Sequence, residues 1–418
     1  MRSHILRGHG SSLRSQVLAI AAGAIIPYIF RLSISAQNEN LYPLNITLIA
    51  SAVTGVIIIF SMRSMEKYPG AEQLSSVLPT TSAIYAMLMA ILLVGRIDYA
   101  RGMLFGSYIL TNLFLFAQQL IWPSRKRLRI AVIKGGAAEA PPVGNIDWVD
   151  VKNSDTCFDS VDAVTVDLRA NLPETWERRL AELALADVPV YHIKHLRESL
   201  TGRVELEHLS ETSYGTLSRP IVYVAAKRAI DLFVSLTALA ILSPLLIVVA
   251  ALVRVDSPGP AIFSQRRVGF RGRAFVVRKF RTMKVAQVGD ASRHAAMTRA
   301  DDERITRIGR LLRKSRLDEI PQLINVIRGE MSLIGPRPEA EVLSEWYEQE
   351  IPFYRYRHIV KPGITGWAQV SQGHVTDVKD VASKLHYDFY YIKNLSPWID
   401  IVITIRTIII MFSGYGAK

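Results

Sequence analysis

The sequence predicts an α-helical membrane region joined to α/β structure. It divides into a four-helix transmembrane bundle, a small Rossmann-like domain and a C-terminal domain entered through a helix that turns back in the membrane. Three observations predict this. Four apolar segments crowd the first 125 residues, and short strand-like runs alternate with a helical one between 128 and 200. A second apolar stretch, 229–253, is interrupted by Ser243-Pro244 and flanked by cations.

The four apolar segments lie at about 15–33, 44–61, 80–95 and 103–122, close to the length of about 20 residues that crosses a hydrocarbon core. Arg2, Arg7 and Arg14 precede the first, Arg63 and Lys67 lie between the second and third, and 125-RKRLR-129 follows the fourth. The other loops hold only Arg31, Arg96 and Arg101. Because cations stay on the cytoplasmic side, both ends of the bundle are placed inside. The first segment has no small-residue cleavage site after it and reads as an anchor. Among 418 residues, half are hydrophobic and the formal net charge is +13, which draws the chain toward phosphorylated metabolites, anionic lipids or nucleic acid. With four spans upstream, nucleic acid is set aside. Cys157 is the only cysteine, so an internal disulfide and a cysteine zinc site are excluded.

Residues 126–200 read as the Rossmann-like unit. Strands are expected at 130-IAVI-133, 163-AVTV-166 and 188-VPVYHI-193, with a helix at 174-ETWERRLAELALA-186. Gly135-Gly136 after the first strand resembles a nucleotide-binding turn, but no GxGxxG follows. A structural or regulatory role is therefore expected. Residues 201–220 read as a polar linker.

From 226 to 253 the chain is long and apolar enough to cross, yet proline removes a helix hydrogen bond at Ser243-Pro244. Lys227 and Arg228 precede the segment, and Arg254, Arg266 and Arg267 follow it. A helix broken at Ser243-Pro244 that enters and leaves on one side satisfies both facts; a kinked span is the alternative. Asp231 is expected at the interface, paired with Lys227 or Arg228.

Beyond it, 264-SQRRVGFRGRAFVVRKFRTMK-284 suggests a hairpin turning at Gly269 and Gly272. The stretch 303-ERITRIGRLLRKS-315 suggests a basic amphipathic helix suited to an anionic membrane surface. Then 313-RKSRLDEIPQLINVIRG-329 sets Asp318 and Glu319 against Arg313, Lys314 and Arg316. Asp318 suits the N-cap of a helix over 320–327 that Gly329 stops. The same pair also suits chemistry on an anion, because a helix start ringed by cations binds phosphate. Residues alone leave cap and catalyst both open. In 335-GPRPE-339, Arg337 lies between two prolines, a stiff backbone that suits a phosphate contact.

From about residue 221 to the end, the chain resembles the bacterial sugar transferase family of monotopic-type phosphoglycosyl transferases. The resemblance rests on 227-KRAID-231, 243-SP-244, 263-FSQRRVG-269, 279-KFRTM-283, 304-RITRIGRLLRKSRLDEIPQL-323, 333-LIGPRP-338 and 361-KPGITGWAQV-370. It implies a catalytic domain over 221–418 that takes a UDP-sugar and polyprenyl phosphate, with Mg²⁺ as cofactor, to initiate exopolysaccharide, capsule or O-antigen repeat units. Asp318 would match the nucleophile, Glu319 the metal-side carboxylate, and Arg313, Arg337, Lys279 and Arg281 phosphate-contacting positions. Ser243-Pro244 would match the break of a re-entrant helix over 226–253. Arg316 departs from the small hydroxyl residue usual there. The implied place is the bacterial inner membrane, catalytic domain on the cytoplasmic face, and the α/β domain and spans could support a homodimer. The competing class is a catalytically silent membrane scaffold built on the same domain, and a transferase releasing UDP rather than UMP is a further competitor. Tyr387, Tyr390, Tyr391 and Trp398 are expected at the membrane interface, and 398–412 as an interfacial helix. Asp301 and Asp302 read either as a solvated loop or cap or as groups reaching a metal or base, and His358, His374 and His386 take no role.

Overall fold

The structure, a computed structural model, describes residues 13–34, 40–65, 73–121, 128–134, 146–154, 156, 158, 160–204, 221–284, 304–372 and 378–413. Gly135-Gly136, Cys157, Asp301, Asp302, His374 and most of the 201–220 linker lie outside them. The chain divides between Gly202 and Arg203 into two compact units.

In the first unit, helices α1 (Leu13–Ile34), α2 (Tyr42–Met65), α3 (Gln73–Val94) and α4 (Arg101–Ile121) occupy the four expected segments. By length and apolarity, α1, α2 and residues 77–94 of α3 can each cross a membrane. Helix α4 is long enough but carries a polar stripe of Ser107, Thr111, Asn112 and Gln118, all buried. That stripe joins the helices: Asn112 is hydrogen-bonded to Thr81 at 2.7 Å, Tyr108 to Ser82 at 2.8 Å and Ser107 to Tyr85 at 3.0 Å. Lipid gives no hydrophobic drive between helices, so polar contacts of this kind supply adhesion.

A four-stranded parallel sheet follows, in the order β2-β1-β3-β4, built from β1 (Leu128–Ile133), β2 (Ile146–Val151), β3 (Ala163–Val166) and β4 (Val190–His192). Ile130 pairs with Trp148 on one side and Ala163 on the other. Three strands fall where the sequence placed them, and β2 is additional. Helix α5 (Glu174–Leu185) covers one face through Trp176, Leu180 and Leu183, and α6 (Ile193–Thr201) follows β4 directly. Helix α6, not among the expected elements, closes this unit at Thr201 and a left-handed Gly202.

The second unit opens with α7 (Ile221–Asp256), a 36-residue helix that is also apolar enough to cross a membrane. Pro244 lies inside it, and the helix is continuous through Ser243-Pro244. Lys227 pairs not with Asp231 but with Asp400, at 2.6 Å, while Asp231 is buried and accepts from the Leu333 amide. A hairpin of β5 (Ile262–Val268) and β6 (Ala274–Phe280) turns at Gly269–Gly272 as expected. Next come α8 (Arg307–Ser315), a 3₁₀ turn (Leu317–Gln322), α9 (Leu323–Arg328), β7 (Ser332–Ile334), α10 (Glu341–Glu350), a second 3₁₀ turn (Tyr354–Ile359) and β8 (Gly363–Thr365). Helices α11 (Trp367–Ser371), α12 (Val378–Lys393) and α13 (Pro397–Ser413) complete the unit.

Two expectations are corrected here. Tyr387, Tyr390 and Tyr391 are buried rather than interfacial: Tyr390 stacks on Trp367, and the Tyr391 hydroxyl bonds Asp400 at 3.0 Å. The first turns of α13 are likewise core, with Ile399, Val402 and Ile403 buried around Asp400, and its exposed large apolar residues are the later Ile408, Ile409 and Met411. Asp400 gives the reason. A buried carboxylate needs partners, and Tyr223, Lys227 and Tyr391 all bond it, pulling α13 against the start of α7.

Candidate active site

Helix α8 starts where the Thr306 hydroxyl accepts the Gly309 amide at 3.0 Å and stops at Arg316, whose φ of 60° is left-handed. A side chain in that conformation costs about 1–2 kcal/mol, so the stop is imposed by packing. The chain then tightens into the 3₁₀ turn, in which Pro321 has no N–H to give. Asp318 therefore caps nothing: it lies inside this turn without a capping bond, and α9 begins only at Leu323. The expected N-cap is overturned, while the expected stop at Gly329, with φ 82°, is present. The basic face of α8 is also present, with Arg307, Arg310, Leu311 and Lys314 exposed and Leu312 buried.

Both acids are buried, each about 8% exposed, and they differ in company. Glu319 Oε1 receives Lys279 Nζ from β6 and Arg337 Nη2, each at 2.7 Å. Burial would raise its pKa, but those two cations hold it well below the usual carboxylate value. Asp318 Oδ1 is buried with no hydrogen-bond partner. Burial raises the Asp318 pKa and the Glu319 charge adds to that, with Lys279, Arg337 and Arg313 offsetting part of it. Burial and Arg337 lower Lys279 to about 8, while Glu319 keeps Arg337 firmly charged. One carboxylate is thus locked in ion pairs and its neighbour is left with an oxygen to offer. A desolvated anion with an open lone pair is a competent nucleophile.

The remaining expected site residues separate. Arg313 lies near the dyad, its Nε bonding Thr282 Oγ1 at 2.9 Å. Arg281 does not serve as a phosphate contact: it is buried and its terminal nitrogens bond the carbonyls of Pro258 at 3.0 Å, Ser257 at 2.5 Å and Val253 at 3.4 Å. These carbonyls lie at and just beyond the end of α7, so Arg281 is a staple. Ser243 and Pro244 are exposed in mid-helix, with Ser243 Oγ bonding the Ala240 carbonyl at 2.9 Å.

Residues that sequence reasoning passed over stand behind Arg337. Gly335, Gly363 and Gly366 pack backbone to backbone. A Cβ on Gly363 would lie 2.6 Å from the Thr365 carbonyl oxygen and 2.7 Å from Gly335 Cα. Three glycines in two quoted motifs, 333-LIGPRP-338 and 361-KPGITGWAQV-370, were the signal available. Buried Arg357 and Asp388 and half-buried Glu339 and Lys384 gave none, because their pairing is long-range.

Among the described residues no three His, Cys, Asp or Glu side chains gather as a metal site. Mg²⁺ asks for less: one or two carboxylates, with substrate phosphates and waters supplying the rest. An ionised Glu319 beside the unpartnered Asp318 Oδ1 is a hard-oxygen donor pair of that kind. The donors fit the cation, provided the substrate brings a phosphate.

Comparison with known proteins places this geometry in context. Residues 222–414 match the model of a family described as bacterial sugar transferase. The chain is 40% identical over 375 residues to a UDP-N-acetylgalactosamine-undecaprenyl-phosphate N-acetylgalactosaminephosphotransferase of Aeromonas hydrophila, covering 88% of this chain and 86% of the relative. It is 38% identical over 238 residues to a UDP-glucose:undecaprenyl-phosphate glucose-1-phosphate transferase of Escherichia coli K12, covering 56% and 49%. With an undecaprenyl-phosphate glucose phosphotransferase of Komagataeibacter xylinus it shares 45% over 192 residues, 44% of this chain and 35% of that one.

Proposed function

The chain belongs to the bacterial sugar transferase family and is a transferase enzyme. From that premise we propose that it moves a sugar-1-phosphate from a UDP-sugar to undecaprenyl phosphate through a covalent aspartyl-phosphosugar, releasing UMP and initiating polysaccharide repeat units. The observation that carries this reading is the division of labour in the dyad. Asp318 keeps a buried, unpartnered oxygen, while Glu319 is clamped between Lys279 and Arg337.

An Asp318 carboxylate oxygen attacks the β-phosphorus. The bond from that phosphorus to the bridging oxygen breaks, and UMP leaves with the bond's electron pair. An oxygen of undecaprenyl phosphate then attacks the same phosphorus, displaces Asp318 as free carboxylate and forms the diphosphate product. Arg337 and Arg313 hold phosphate oxygens through both steps, and Lys279 keeps Glu319 in place. Glu319, with the substrate's phosphates, would hold Mg²⁺, which neutralises charge so that two anions can approach.

The sugar proposed is N-acetylgalactosamine, since the Aeromonas relative matches along most of both chains. A turn-back of α7 at Ser243-Pro244 on the cytoplasmic face belongs to the same proposal. Both its ends dock on this unit. Arg228 bonds the Val326 and Ile327 carbonyls of α9, and Asp256 accepts the Ile308 amide of α8. Arg228 and Asp256 are 28 residues apart in α7, about 42 Å along a straight helix, while the two helices they dock on are joined by the short Leu317–Gln322 turn. The exposed Arg307, Arg310 and Lys314 suit an anionic leaflet.

The test is incubation with Mg²⁺, undecaprenyl phosphate and UDP-N-acetylgalactosamine, UDP-glucose or UDP-galactose, measuring nucleotide release. UMP released with the first of these supports the reading. UDP instead of UMP, or full activity in Asp318→Ala, would overturn it.

A further inference from the structure

The segment that delivers Arg337 is held from behind by a second, largely buried layer of charge. Its carbonyls are taken one by one. Pro336 accepts from the Gly363 amide at 2.9 Å, Arg337 from Arg357 Nη2 at 2.8 Å, and Pro338 from Arg267 Nη1 at 2.5 Å. Arg357 is in turn fixed by Asp388 at 2.9 Å and by the Tyr354 hydroxyl at 2.5 Å. One turn earlier on α12, Lys384 reaches Glu339 at 2.5 Å. Lys384 and Asp388, four residues apart, share one helix face: Lys384 holds Glu339, and Asp388 holds the Arg357 that bonds the Arg337 carbonyl. The void lined by Arg337, Arg357 and His358 measures about 10 Å³, room for one water at most.

The pair at the centre of this layer is closed off from solvent. Arg357 is about 4% and Asp388 about 1% exposed. Burying two such ions is expensive, and hydrophobic residues of similar volume are often neutral or stabilising, so stability alone is a poor reason for them. What they do provide is a fixed place for one backbone carbonyl, and with it the Arg337 side chain that meets Glu319 at 2.7 Å.

We propose that Arg357, oriented by Asp388, is a positioning residue for the transfer reaction: it sets Arg337 against Glu319 and the substrate phosphate. This rests on the role given to Arg337 above. A misplacement of 1 Å costs on the order of 100-fold in rate, so a slack 336–338 segment lowers kcat while the folded protein and its nucleotide binding persist.

The experiment is a double-mutant cycle on UMP release with Mg²⁺, undecaprenyl phosphate and UDP-N-acetylgalactosamine. The first change is the paired Arg357→Gln/Asp388→Asn, which removes both buried charges together and leaves neither unpaired. The second is Arg337→Gln, and the third combines them; thermal melts accompany each, and Arg357→Lys serves as the conservative variant. In the wild-type background the paired change is expected to lower kcat by roughly 10- to 100-fold, with KM for the UDP-sugar within about threefold. In the Arg337→Gln background it is expected to change kcat by less than about threefold, since residues acting through one another are not additive. Arg357→Lys, which keeps a donor for the Arg337 carbonyl, is expected to recover part of the loss. Equal factors in both backgrounds, or wild-type kcat in the paired variant, overturn the proposal. If Arg337→Gln itself keeps wild-type activity, the role of Arg337 fails instead, a separate result.

Discussion

Glu319→Gln is the sharpest perturbation of the dyad. It keeps the shape and one acceptor oxygen but removes the charge that Lys279 and Arg337 share, each at 2.7 Å. All three side chains are largely buried, at 10%, 15% and 22% exposure for Glu319, Lys279 and Arg337. Removing one partner from a buried pair costs about 3–5 kcal/mol. The lower end applies, because Lys279 has an escape: its pKa is already down to about 8 with Glu319 charged. Without that charge it falls further, and the amine sheds its proton near neutral pH. A loss of about 3 kcal/mol at 2–4 °C per kcal/mol lowers the melting temperature by roughly 6–12 °C. The pH dependence has a fixed sign. A lysine whose folded pKa lies below its unfolded value of 10.5 gains stability as pH rises through the folded value. The deficit of Glu319→Gln is therefore larger at pH 6 than at pH 8.5, and Lys279→Met added to it restores part of the loss. Melts followed by tryptophan fluorescence read this directly. A melt within about 2 °C of wild type at pH 6, or a deficit that Lys279→Met deepens, would refute the ion-pair reasoning.

The other predictions address the surroundings of the dyad. Gly363→Ala places a methyl 2.7 Å from Gly335 Cα; the segment must shift by about 1 Å, and kcat is expected to fall about 100-fold, with a wild-type rate contradicting the packing. Arg281→Met removes the side-chain donor from three carbonyls at and just beyond the end of α7 and is expected to lower the melting temperature with KM for UDP-sugar unchanged. A selective rise in KM would return Arg281 to the phosphate site. Asp318 must be ionised to attack, and burial and Glu319 raise its pKa, so the acid limb of kcat/KM is expected above 3.8, the usual value for an aspartate. In Lys279→Met that limb moves to higher pH, because a cation that favours the ionised form is gone.

What was legible in the sequence follows from range of interaction. The helices of the bundle announce themselves because lipid demands a long run of apolar residues, and α1 to α4 lie within a few residues of the expected segments, α3 excepted, which begins at Gln73 rather than about 80. Strand β2 escaped because 146-IDWVDV-151 carries acids at 147 and 150, the pattern of an edge strand with one wet face. Asp318 looked like a cap because its neighbours fit one, but the left-handed Arg316 and Pro321 fold that stretch as a 3₁₀ turn. Arg281 looked like Lys279, two residues away in the same basic run. Yet the two point to different tasks, one to Glu319 and one to the end of α7. Tyr391 and Asp400 read as interfacial until their partners, Tyr223 and Lys227, are seen some 170 residues upstream. The second layer around Arg357 depends on the same kind of distant pairing.

The covalent step at Asp318 is the centre of the account, and it can be weighed. Protein incubated with Mg²⁺ and UDP-N-acetylgalactosamine, with no undecaprenyl phosphate, is digested and its peptides measured by mass spectrometry. The account predicts a phospho-N-acetylhexosamine adduct on Asp318, UMP released in a single burst, and loss of the adduct when undecaprenyl phosphate is added. UMP formed only when both substrates are present, with Asp318 unmodified throughout, would contradict it.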